Sequence, residues 1–200
     1  MGKSLPVREA NRVLLITLFA RLVMYTLGYY ILALVRVPRP GLMIMPVGPT
    51  LATTVLALFN WFDRRPGEGF LKWVLYLDIF NLSVQALPFL LLQSILTVEY
   101  AWIVSEITLI SPGILMLFSL VLLSWAYGKK GAFWGSTWAT MLQVFAGVLT
   151  MGTELFGWSY LVRQAMSVLL LYAVPQLVSL LAERERRYLT ELEAAHDSLK

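Results

Sequence analysis

Apolar residues in this chain come in long uninterrupted blocks, not at the three-to-four spacing of an amphipathic helix laid on a soluble core. Six blocks can be marked, at residues 13–35, 42–62, 73–96, 101–127, 132–153 and 161–181. Each is long enough to cross a bilayer core, which takes roughly 18 or more apolar residues. The pattern therefore predicts an all-α membrane protein, a bundle of about six transmembrane helices. The connections, at 36–41, 63–72, 97–100, 128–131 and 154–160, are too short to hold a separate domain. Beyond Leu181 the pattern changes: residues 182–200 read AERERRYLTELEAAHDSLK, rich in charge and in strong helix formers, without Gly or Pro. The last helix is thus predicted to run on out of the membrane. Leu181, Glu185, Tyr188, Leu192, Ala195 and Leu199 alternate steps of four and three, the seam of a two-stranded coiled coil. Three regions follow: a basic N-terminus at 1–12, a six-helix transmembrane domain at 13–181 and a coiled-coil linker helix at 182–200.

Composition agrees with this pattern and adds orientation. With 58% hydrophobic residues, 14% charged and a mean hydropathy of +0.71, one soluble core cannot hide the apolar surface, and lipid is the expected partner. The first block is too long for a signal-peptide core and lacks a small-residue cleavage pattern after it. Basic residues flanking spans are retained in the cytoplasm. With the N-terminus inside, Lys3, Arg8, Arg12, Arg64, Arg65, Lys72, Lys129, Lys130, Arg184, Arg186, Arg187 and Lys200 all fall inside, against Arg36, Arg39 and Arg163 outside. Both termini are expected to be cytoplasmic. This topology and contact with anionic lipid account for the net charge of +4, so no nucleic acid is called for. Tyr29, Tyr30, Trp61, Trp73, Trp102, Trp125, Trp134 and Trp158 lie near block ends, as in an interfacial aromatic belt.

Candidate chemistry is sparse. There is no cysteine, and His196, on the polar tail, is the single histidine. Bis-histidine haem, histidine-bound zinc and Ser–His proteolysis within the membrane each need a histidine in or beside the spans. No metal site, cofactor or catalytic residue is therefore expected. Ionisable groups inside apolar blocks are the informative ones, because an unpaired charge in lipid is costly. Arg21 and Asp78 lie at similar depths in the first and third blocks and can pair; Asn81 and Gln85 extend a polar face beyond Asp78. Near the outer ends, Glu99, Glu106 and Glu154 could form an acidic rim beside Arg163. Pro175 interrupts the sixth block shortly before the seam and can bend that helix.

Several spans with minimal loops, ending in LLAERERRYLTELEAAHDSLK, resemble the input region of bacterial sensor histidine kinases of the intramembrane-sensing type. The resemblance covers architecture over the whole chain and wording over the last segment; membrane-anchored diguanylate cyclases carry similar linkers. It implies a bacterial inner-membrane protein acting as a parallel homodimer. The partner would be a cytoplasmic kinase or other output domain, or a response regulator. Pro175, Leu181, Tyr188, Leu192 and Leu199 would be the transmission elements. The pair His196–Asp197 is similar to the family's phosphoacceptor, but Glu193 stands three residues before the histidine and Ala195 intervenes, so His196 reads as a linker histidine. No ATP-binding or cyclase motif occurs before Lys200. Two other functions fit the same residues: a small transporter or channel using Arg21, Asp78, Asn81 and Gln85, or a membrane anchor that assembles a complex through its tail.

Overall fold

The computed structural model describes residues 5–34, 46–62, 68–93, 98–150 and 158–198. They form five α-helices: α1 (Leu5–Leu34), α2 (Val47–Phe62), α3 (Glu68–Gln93), α4 (Val98–Thr150) and α5 (Trp158–Ser198). The helix α1 starts well ahead of the first apolar block because Val7, Ala10, Leu14 and Leu18 recur at helical spacing and are buried. The polar tail is continuous with the last apolar segment, both belonging to the 41 residues of α5, with Pro175 inside it.

Fewer helices than the six expected blocks are distinct, and α4 explains the difference. Its 53 residues span the fourth and fifth blocks, interrupted at Gly128 (φ 63°, ψ −151°). A Cβ built on Gly135 would come within 2.9 Å of Leu120 Cδ2, and closer still to Leu123 Cδ2. In an unbroken helix, residues twelve and fifteen apart would be separated by about 18 and 22 Å. The chain therefore reverses at Gly128, and α4 is a helical hairpin with a first arm (98–127) and a second arm (129–150). A loop expected over four residues is thus reduced to one residue with positive φ and extended ψ, a conformation that glycine adopts without steric cost.

Contacts between elements alternate in direction along the chain. Asn11 near the start of α1 meets Asn60 near the end of α2. Asn81 of α3 bonds back to Thr53 of α2, and Ser83 and Asp78 of α3 meet Met116 and Ser119 of the first arm. Gln143 with Ser167, Thr137 with Tyr172 and Lys129 with Glu183 set α5 antiparallel to the second arm. One core cluster joins Val7 through Leu18 of α1, Ala57, Leu71 through Leu75 and Leu122–Leu123. A second lies further along, from Ile79 and Leu82 through Met116 and Leu120 to Ala139 and Leu171. The start of α1, the α4 turn and the polar end of α5 consequently share one end of the bundle. Among the described residues, α5 packs chiefly on α4, which leaves its other flank open.

Polarity is inverted relative to a soluble fold. The helix α2 buries Thr50, Thr53, Thr54, Ala57 and Asn60 while Leu51, Val55, Leu58, Phe59 and Phe62 face outward. The threonine hydroxyls are satisfied within the helix: Thr50 donates to Pro46 O at 2.7 Å, Thr53 to Pro49 O at 3.0 Å and Thr54 to Thr50 O at 2.7 Å. Among the described residues, Val7–Ile31 and Ala165–His196 are long and apolar enough to cross a membrane; Val47–Phe62 is apolar but shorter. The remaining blocks run into residues outside those described.

Candidate functional site

A buried polar knot joins α1, α3 and the first arm of α4. Arg21 stands on the inner face of α1, in register with Leu14 and Leu18, and Asp78 on the inner face of α3 beside Leu75 and Ile79. Arg21 Nη1 donates to both carboxylate oxygens of Asp78, at 2.8 and 2.9 Å, and both side chains are 3% exposed. Arg21 Nη2 donates to Leu115 O at 3.3 Å, and Ser119 Oγ donates to Asp78 Oδ2. Charge neutralises charge, and the bonds to Leu115 O and from Ser119 satisfy part of what remains, as an ion pair in a low-dielectric interior requires. One residual cost is visible: Arg21 Nε has no partner among the described residues. A buried Arg–carboxylate pair fixes the relative height and rotation of the helices that carry it. Here the first arm of α4 is included, because it supplies Leu115 O and the Ser119 hydroxyl.

The other sequence-predicted residues separate from this knot. Asn81 turns toward α2, donating to Thr53 Oγ1 at 2.7 Å and Pro49 O at 3.3 Å. The polar face of α3 is therefore shared between two neighbours and does not form one path. The side chains of Gln85, Glu99, Glu106 and Arg163 lie outside the described residues, as do Glu154 and Leu199 entirely, and so does the expected outer rim. Pro175 is buried on the face of α5 that meets α4. His196 is exposed, and its neighbour Asp197 has its side chain outside the described residues. Among the described residues no group of His, Cys, Asp and Glu could hold a metal ion.

Sequence reasoning missed two groups. Asn11 falls within the expected basic N-terminus at 1–12, yet it is 3% exposed and donates to Ala57 O at 3.2 Å, while Asn60 Nδ2 donates to Asn11 Oδ1 at 3.2 Å. Its spacing from Val7, Ala10 and Leu14 was the available signal. Arg186 reads in the sequence only as one of the basic residues flanking the last apolar block. It donates to Trp125 O at 2.6 Å and Ala126 O at 3.5 Å, while Glu183 pairs with Lys129 at 2.9 Å.

Fold and site together define an all-helical bundle cross-braced by buried polar contacts, with apolar side chains on its outside. Set against known protein families, characterised proteins and solved structures, the chain finds no match in any of the three.

Proposed function

We propose that this chain is the membrane-embedded input module of a signalling protein of the sensor histidine kinase kind. Its six apolar segments span the bacterial inner membrane with both ends cytoplasmic. It works as a parallel homodimer and relays a signal sensed in or at the membrane through α5 to a cytoplasmic output domain. The inverted polarity of α2 and the up-and-down order of the helices support the membrane placement.

The observation that carries the reading is α5 itself. A helix of 41 residues passes without a break from apolar to charged sequence. In its polar part Leu181, Tyr188 and Leu192 are 65%, 55% and 71% exposed. Leu171, Pro175, Ser179, Ala182 and Arg186 face α4, and at about 100° per residue the seam lies roughly 120° round the helix from them. An apolar seam turned away from its own bundle and flanked by charge is suited to an identical helix. In a parallel pair, Glu185 at its seam position adjoins Arg184 of the second copy, which offsets the acid.

The test is a chimera in which a kinase core follows Lys200. Deleting Thr190 turns everything beyond it by about 100°, whereas a seven-residue insertion there restores the phase of the seam. Autophosphorylation should change sharply with the deletion and little with the insertion. Indifference to both would make the tail a passive tether and remove the sensory reading.

A further inference from the structure

The turn of α4 presents two unlike helix ends side by side. The first arm ends at Gly128, so carbonyls of its last turn, Trp125 O and Ala126 O among them, lack the amide partners that a continuing helix would supply. These carbonyls form the negative end of that arm. The second arm starts at Lys129, a cation at the positive end of a helix, where charge of that sign is unfavourable. The base of the polar helix carries the complement to both. Arg186 donates to the two carbonyls, at 2.6 and 3.5 Å, and Glu183 neutralises Lys129 at 2.9 Å. Glu183 and Arg186 are three residues apart and so share a face of α5, next to the buried Ala182.

We propose that Arg186 is a positioning residue: with Glu183 it latches the polar helix to the α4 turn and sets the direction in which the apolar seam faces. The same arm of α4 bonds Arg21 and Asp78 through Leu115 O and Ser119 and ends at the carbonyls held by Arg186. Leu115 and Trp125 are joined by continuous helix, so a shift of that arm within the bundle moves the latch and turns the tail with it. The latch rests on the sensory reading only for what it regulates; as a contact it stands without it.

The experiment uses the whole chain in lipid nanodiscs, with nitroxides at Lys130→Cys and Glu191→Cys diluted with unlabelled chain, read by pulsed electron spin resonance. The unmodified latch should give a narrow distance distribution. Arg186→Met should widen it about two-fold or more, since the replacement keeps the length and removes the donors. Arg186→Lys should fall between, and Arg187→Met should leave the width unchanged. Salt supplies a second measurement on the latch as it exists. The Lys129–Glu183 pair is 58% and 31% exposed, so raising salt from about 0.05 to 1 M should widen the distribution. An unchanged width with Arg186→Met overturns the latch, as does an unchanged width in salt should Arg186→Met fail to fold. Distances that respond while the chimera ignores phase would keep the latch and remove the sensory reading; the converse would remove the latch alone.

Discussion

Arg21 and Asp78 show how much one residue can be worth where water is absent. Removing one partner of a buried pair leaves an uncompensated charge, whereas replacing both with apolar groups of similar volume is often close to neutral. We expect Arg21→Met and Asp78→Leu each to cost about 3–5 kcal/mol in the unfolding of the detergent-solubilised protein, and the double variant to recover most of that. Strict additivity would show that the two do not interact. Asn81→Leu makes the contrast: Thr53 keeps its bond to Pro49 O, so the loss should be only about 0.6 kcal/mol, the average for hydrogen bonds between membrane helices. The charged pair was legible in the sequence because charges within apolar blocks are rare and must be answered. Ser119 and Leu115 O were not, because a serine in a span ordinarily bonds its own helix and every residue has a carbonyl. Asn11 was hidden by a boundary drawn at the first long apolar run, although its helical spacing from Leu14 and Leu18 was there to be read.

At the scale of elements, glycine positions separate turn chemistry from packing. Gly128 has open space around it, so Gly128→Ala should cost only its positive-φ extended conformation, which is essentially reserved to glycine, about 1–3 kcal/mol. Gly135→Val should cost more, because its added atoms meet Leu120 and Leu123 across the hairpin. Gly28→Ala, with nothing within 4 Å, should stabilise α1 by about 0.5–1 kcal/mol. Thermal unfolding of the three variants in one detergent checks the order. The apolar blocks anticipated an all-helical chain but not its element boundaries: α1 begins eight residues ahead of its block, and the fourth and fifth blocks fall in the single element α4. The hairpin was not legible: residues 128–131 read as a loop, yet all but Gly128 are helical, and Leu120 and Leu123 against Gly131 and Gly135 reveal how closely the arms approach. Gly131 and Gly135 have the spacing of two small residues one helical turn apart, a pattern that does not name the surface they pack against.

For the whole molecule, the distribution of charge and the order of the helices can be set against each other. Arg8, Arg12, Lys72, Lys129, Lys130, Arg184, Arg186 and Arg187 all belong to the end of the bundle where α1 begins and the α4 turn lies, while Arg21 is buried in the interior. On the membrane placement proposed above, retention of basic residues in the cytoplasm would make that end the inner one. We expect single cysteines at Gly41 and Glu99 to react with a membrane-impermeant thiol reagent on intact cells, and cysteines at Gly69 and Lys130 to react only after lysis. Gly131 is unsuited to the purpose, since a Cβ there would stand 2.8 Å from Tyr127 Cβ and nearer still to Leu123 O, forcing the hairpin open. Labelling of Gly69→Cys on intact cells would invert the orientation, and with it place α5's charged end, its seam and the Arg186 contact outside the cell. A cytoplasmic output domain could not then be reached. The labelling experiment therefore tests the one condition on which both the relay through α5 and its consequence for signalling depend.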